Sequence, residues 1–151
     1  MGSVAGAQWQ YVTLNLVALM LLTWQFSRSA KALNALLLGE AEARHLGIEV
    51  DKLKLKLILL CAIGIGISVA ATGIIGFIGL VIPHLVRMLI GPDHTRLLPI
   101  SAVLGAITLA LADVGARSLL APSELPVGIM TAMLGAPFFI FLLLKQKNKL
   151  I

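Results

Sequence analysis

The sequence predicts an all-α, polytopic transmembrane helical bundle with about five membrane segments, and three observations lead to this class. Apolar residues make up 59% of the 151 residues and charged residues only 13%. The mean hydropathy of +1.00 is far from that of soluble domains. Several apolar stretches also approach the roughly 20 residues that a helix needs to cross a hydrocarbon core about 30 Å thick. The chain is therefore predicted to be an integral membrane protein.

Five membrane segments are predicted within a single transmembrane region, 1–151. Four approach full crossing length, at 9–26, 53–72, 97–118 and 125–144. The first is expected to remain a spanning helix, because no basic residue precedes Arg28 as a secretory signal would require.

A short fifth segment is predicted between the second and third long ones. Residues 57–86 carry no formal charge with His84 neutral. A helix of about 30 residues is about 45 Å long, too long for one crossing and too short for two. Gly73 and Gly76 permit a reversal of the chain near the middle. We therefore predict a full helix over 53–72 and a short segment near 74–90.

The distribution of basic residues tests this topology independently. With the reversal, eleven of the twelve basic residues share one side of the membrane and only Arg117 lies on the other; without it they divide seven against five. The positive-inside rule then makes the shared side, including the C-terminus, cytoplasmic. The same orienting role accounts for the basic pI of about 9.8, so nucleic-acid binding is not indicated. The basic residues on the shared side are Arg28, Lys31, Arg44, Lys52, Lys54, Lys56, Arg87, Arg96, Lys145, Lys147 and Lys149.

The cytoplasmic loop 27–52 contains a charged island of strong helix formers at 35–46. Gly39 predicts a bend between two short helices, Glu40 and Arg44 have the spacing of a helical ion pair, and Gly47 predicts a helix stop. Two interpretations remain open. The loop either docks a partner protein through its apolar side chains or is a solvated interfacial loop whose leucines touch lipid headgroups. The apolar side chains in question are Leu36, Leu37, Leu38, Ala43 and Leu46.

No catalytic, cofactor or metal site is predicted. His84 and Arg87 share a helical face beside Pro83, but no cysteine or carboxylate stands at ligand spacing, so helix packing or cytoplasmic anchoring is favoured. Asp113 and Arg117 are expected to form an i,i+4 ion pair near the outer end of a spanning helix. The alternative is that they shape the outer mouth or contact a binding protein together with Glu124.

Four ordered sequence blocks carry a resemblance to a known family. Residues 33–40 read LNALLLGE and residues 43–47 read ARHLG, similar to the LN-x-L-x-LGE-x-x-A-x-x-LG loop of the FecCD-type permeases. The other blocks are GFIGLVIPHLVR at 76–87, GPDH at 91–94 with RLLP at 96–99, and ELPVG at 124–128 with GAPFF at 135–139. Four blocks in order make a chance match improbable, whereas a single one would be weak.

The resemblance implies a membrane subunit of a bacterial ABC importer for ferric siderophores, haem or cobalamin. It implies ABC ATPase subunits that bind ATP, a second permease subunit, a periplasmic substrate-binding protein and the inner-membrane bilayer as partners. Loop 27–52 would hold the coupling helices, with Gly39 and Gly47 shaping the bend and Glu40 and Arg44 facing the ATPase. The chain lacks a Gly-rich phosphate loop of its own, so ATP hydrolysis is expected in a partner chain.

Only the C-terminal half of such a permease is matched, so a truncated reading frame, an internal start or an expressed fragment is expected. The functional alternative is a truncated, non-transporting membrane scaffold that oligomerises. A membrane-embedded enzyme is disfavoured, because no cluster of titratable residues is predicted at one depth in the bilayer.

Overall fold

The computed structural model describes residues 9–119 and 127–147. These residues form helices and connecting turns without a strand, which confirms the predicted all-α class. In chain order the helices are α1 (Trp9–Leu36), α2 (Glu40–His45), α3 (Val50–Thr72), α4 (Ile78–Ile90), α5 (His94–Leu119) and α6 (Val127–Lys147).

Helix α5 is the centre of the bundle. It packs against α1, α4 and α6, while α1 also packs against α3. Two small apolar cores fix these contacts. One joins Ile82 and Val86 of α4 to Leu97 of α5, and the other joins Ala112 and Ala116 of α5 to Val127 of α6. Their burial from solvent stabilises the bundle around α5.

Most of the large apolar side chains lie outside these cores. Two helical stretches in the described part of the chain are long and apolar enough to cross a membrane, Val50–Thr72 and His94–Ser118, and the apolar stretches Ile78–Ile90 and Val127–Phe138 are shorter. The most apolar 18-residue window of α3 has none of its residues buried inside the structure. The core helix of a soluble protein would be covered, so this surface is suited to lipid or to another apolar helix.

Helix α1 differs from the predicted segment 9–26. It continues without a break to Leu36, so the predicted loop 27–52 begins as helix. Ser29 and Ala30 are buried, so the extension packs against the rest of the bundle. Polar residues such as Gln10, Asn15 and Gln25 lower the average hydropathy of α1, which is not among the candidate spans. Its crossing of the membrane therefore stays a prediction.

The chain reverses between α3 and α4, as the glycines predict, but the short helix begins at Ile78 instead of near residue 74. Phe77 has φ 67°, and the Ile78 N–H donates to the Gly76 carbonyl at 2.8 Å across it. Such a turn is rare and strained for a residue with a side chain. Gly135 of α6 lies against it, since a Cβ atom there would be 2.4 Å from the Phe77 Cβ. A close contact with α6 therefore accompanies the start of α4.

Candidate functional site

The corner between α1 and α3 is a compact element, defined here as residues 37–51 and called the loop corner. At Gly39, with φ 116°, the chain turns from α1 into α2. Helix α2 ends in a Schellman motif, in which the N–H of Ile48 donates to Ala43 and that of Gly47 to Arg44. Gly47 has the left-handed φ of 81° that this motif needs. The bend and the stop predicted from the glycines are both present, but the bend joins the end of the 28-residue α1 to one short helix instead of joining two short helices.

Two ion pairs connect the loop corner to α3, and they differ from the predicted one. The predicted pairing of Glu40 with Arg44 is wrong: Glu40 pairs with Lys54, and Arg44 Nη2 lies 3.0 Å from Asp51 Oδ2. Because both bridges run between α2 and α3, they oppose rotation of α2 about its own axis. Each pair is exposed and contributes about 0.2–1 kcal/mol.

The apolar residues of the loop corner divide into a buried and an exposed set. Ala43 is 0% exposed and Val50 1%, so these two side chains hold the corner together. Leu37, Leu38 and Leu46 are 50%, 69% and 64% exposed. The prediction that Ala43 is available to a partner is therefore corrected: its side chain is enclosed by the corner itself. Leu36 is half-buried at the end of α1.

A polar network that the sequence analysis did not single out ties α1 to the turn before α5. The Asn34 amide donates from Nδ2 to Asp93 Oδ1 at 2.6 Å, and Asn34 Oδ1 accepts from the His94 backbone N–H at 2.7 Å. His94 Nδ1 is also 2.9 Å from Asn34 Oδ1. Asp93 stands directly before α5 and two residues before Thr95, which is the position of a helix N-cap. Its capping role could therefore be predicted from the sequence. Its partner Asn34 is 59 residues away along the chain, and no sequence pattern points to it.

The charge of Asp93 is stabilised by these contacts. Its pKa is lowered to about 2, chiefly because the Thr95 hydroxyl donates to it, and further by the Thr95 backbone N–H and the Asn34 amide. The carboxylate therefore stays ionised, and can accept from Asn34 and Thr95, throughout the physiological range of pH.

The remaining predicted site residues lie apart from the loop corner. Pro83 is inside α4, where it leaves the Gly79 carbonyl without its usual helical donor, and His84 and Arg87 follow it on an exposed face. Arg117 Nε donates to Asp113 Oδ2 at 2.9 Å, so the predicted ion pair is formed. Glu124 lies outside the described residues. No three potential metal ligands come together within residues 9–119 and 127–147.

The described residues form an all-helical protein whose surface is suited to lipid. At one end, ion pairs join the loop corner to α3. This is the architecture of a polytopic membrane protein. A sequence model of the FecCD transport family matches residues 1–145, and the chain belongs to that family.

Individual relatives agree with this assignment. The vitamin B12 import system permease protein BtuC of Vibrio parahaemolyticus is 48% identical over 98% of this chain and 44% of its own length. The hemin transport system permease protein HmuU of Yersinia pestis is 48% identical over 99% of this chain and 45% of its own. The chain thus spans less than half the length of these relatives.

A solved structure supports the fold. A transporter described as of the metal-chelate ABC type, in an inward-facing conformation, superposes with a TM-score of 0.88 at 39% identity. The match covers 96% of this chain and 48% of that one. The predicted membrane helical bundle is therefore confirmed.

Proposed function

We propose that this chain forms the C-terminal half of the membrane permease subunit of an ATP-driven importer in the bacterial inner membrane. Its cargo would be a corrinoid, haem or an iron chelate such as a ferric siderophore. The membership of the FecCD transport family and the names of the relatives support this class of cargo. Partners would be ATP-binding subunits, a second permease subunit and a periplasmic binding protein. ATP would be bound and hydrolysed by the partner, so this chain is a transport subunit and not an enzyme.

The observation that carries the proposal is the attachment of the loop corner to α3 at several points. Two ion pairs and the buried Ala43 and Val50 hold α2 against the start of α3, while Leu38 and Leu46 remain exposed. A transmitting element needs such a combination. It must offer an apolar surface to a moving partner and must be fixed to the helix that it moves.

Movement of the loop corner would reach the bundle by two routes. The ion pairs transmit it directly to α3, and the Asn34 network transmits it from the end of α1 to the start of α5. Since α5 packs on α1, α4 and α6, displacement at this one end would shift several helices together. Closure of the ATP-binding subunits would thereby bias the bundle between inward-open and outward-open states.

Co-purification of the assembled importer with its ATP-binding subunit tests the docking surface. Replacing both exposed leucines, Leu38→Asp with Leu46→Asp, is expected to abolish association, because two charges would be buried in an apolar contact. Undiminished co-purification of this variant would overturn the assignment of the loop corner as the docking surface.

A charge exchange tests the bracing separately from the docking. Glu40→Lys alone places two cations together and is expected to uncouple ATP hydrolysis from transport, whereas Glu40→Lys with Lys54→Glu restores the bridge with reversed polarity. Recovery of transport in the double variant supports bracing. Equal defects in the single and double variants would instead show that Glu40 acts on the partner directly.

The alternative function is a non-transporting membrane scaffold that oligomerises. Uptake of the cargo into vesicles distinguishes the two. Transport by an importer containing this chain supports the permease function, and assembly without any transport supports the scaffold.

A further inference from the structure

A shallow, open groove lies along the first half of α3, and Gln25 is its one lining residue from α1. Its volume is about 360 Å³, and its wall combines one amide, two lysines and four aliphatic side chains. Immediately beyond Ile63 the two helices close on each other, since a Cβ atom on Gly64 would lie 2.6 Å from Leu22 Cδ1. The groove therefore has an apolar inner end and a cationic end near the loop corner. Its lining residues are Gln25, Lys52, Leu55, Lys56, Leu59, Leu60 and Ile63.

The cationic end has the chemistry of a phosphate site. Lys52 and Lys56 are one helical turn apart, so one phosphate can receive donors from both ammonium groups. Lys52 has a carboxylate neighbour in Glu49, whereas Lys56 has no ion-pair partner within residues 9–119 and 127–147. The groove lining contains no acidic side chain. Its charge is therefore complementary to an anion.

A neighbouring pair places this level of the bundle at the edge of the membrane. The Arg28 guanidinium carbon lies 4.7 Å from the centroid of the Trp24 ring, on the same helix as Gln25. Tryptophan and arginine are both enriched where the hydrocarbon meets the headgroups. A molecule in the groove would thus have its polar end at headgroup depth and its apolar end in the bilayer.

We propose that the groove binds one anionic phospholipid, with its phosphate between Lys52 and Lys56 and an acyl chain along Leu59, Leu60 and Ile63. The proposal rests on the membrane orientation of the proposed function, in which this end faces the cytoplasmic leaflet. A basic pocket between membrane helices at that leaflet favours anionic over zwitterionic lipid. A lipid here would cover the contact between α1 and α3 beside the loop corner and would make this contact more rigid.

Native mass spectrometry of the assembled importer, titrated with phosphatidylglycerol or phosphatidylcholine, tests the site. The variant Lys52→Gln with Lys56→Gln is expected to lose about tenfold or more in affinity for phosphatidylglycerol, since each lysine near an anionic headgroup contributes roughly a fivefold factor. Phosphatidylcholine has the same phosphate but a cationic choline group, so its weaker binding is expected to fall by a smaller factor.

The matched control removes the same two charges outside the groove. Lys31→Gln with Arg96→Gln should leave the preference for phosphatidylglycerol intact, because neither residue lines the groove and neither belongs to the ion pairs of the loop corner. A third variant, Leu59→Trp, fills the groove without changing its charge and should also weaken phosphatidylglycerol binding.

Three results would overturn the proposal. Equal losses in the groove variant and in the control variant would show that binding depends on general surface charge. Absence of a phosphatidylglycerol preference in the unmodified importer would show that the groove does not select an anionic lipid. Binding to the isolated chain but not to the assembled importer would show that a protein segment covers the groove. Co-purification of the ATP-binding subunit, measured in the same variants, reports separately on the proposed permease function.

Discussion

The contact between Gly135 and Phe77 allows a stability prediction worked from distances. A methyl group on Gly135 would lie 2.4 Å from Phe77 Cβ and 2.9 Å from its Cγ. The Cβ atom is fixed to the backbone, and the φ of 67° at Phe77 leaves this turn little freedom to retreat. Overpacking typically costs about 1–3 kcal/mol, while replacing glycine by alanine in a helix regains up to about 1 kcal/mol. We expect Gly135→Ala to lower the free energy of unfolding by about 1–2 kcal/mol net.

Two other glycines serve as controls of graded severity. At Gly64 the obstructing atom is Leu22 Cδ1, the free end of a flexible side chain, so Gly64→Ala is expected to be nearly neutral. At Gly105 the nearest atom is Ile78 Cγ2 at 3.9 Å, an ordinary contact. Gly105→Ala is therefore expected to stabilise the helix by up to about 1 kcal/mol.

The free energy of unfolding of the three glycine variants is measured in mixed micelles of detergent and dodecyl sulfate, with circular dichroism as the signal. A double-mutant cycle with Phe77→Gly isolates the contact, because that change removes the atoms that Gly135→Ala would meet. The reasoning is refuted if Gly135→Ala is as stable as Gly64→Ala, or if Phe77→Gly leaves the cost of Gly135→Ala unchanged.

Three further predictions concern polar contacts. Asn34→Ala is expected to destabilise the protein by about 1–2 kcal/mol in the same unfolding assay, because it removes one donor and one acceptor from part-buried partners. The control Asn15→Ala should be neutral, because the Asn15 amide donates to a carbonyl of its own helix. Equal effects of the two changes would contradict a role for the network. The contribution of Asp93 is expected to be fully present above pH 4 and to disappear as pH falls towards 2, since its pKa is lowered on folding from 3.8 to about 2. Acid unfolding of Asp93→Asn compared with the unmodified chain checks this sign, and a pH-independent difference would refute it. The ion pair between Asp113 and Arg117 is partly exposed. A double-mutant cycle with Asp113→Asn and Arg117→Gln should therefore give a coupling energy below about 1 kcal/mol. A larger coupling energy would mean that the pair is desolvated at the outer mouth.

The helical class and the reversal after Thr72 were predictable because they depend on local signals. Apolar length, charge placement and glycine all act within a few residues of where they stand. The bend at Gly39 and the helix stop at Gly47 are of the same kind, since only glycine adopts their φ values without strain. The extension of α1 to Leu36 was missed, because it depends on burial of Ser29 and Ala30 by neighbouring helices.

The position of the candidate site could be predicted from the sequence, but the partners of its ion pairs could not. The spacing of Glu40 and Arg44 favours mutual pairing, yet the approach of α3 supplies Lys54 and Asp51 as competing partners. An exposed i,i+4 pair is worth only about 0.3–0.5 kcal/mol, so small differences in geometry decide between such partners.

The sequence by itself determined that this is a helical membrane protein, that the chain reverses after Thr72, and that Gly39 and Gly47 bend and stop the helices of the loop corner, since these properties follow from composition and local backbone preference. Only the tertiary structure decided that Ala43 is enclosed, that Asn34 joins α1 to α5, that Phe77 meets Gly135, and that two lysines share a groove with aliphatic side chains. These contacts unite residues far apart in the chain, and their energies depend on distances that exist only once the helices have packed.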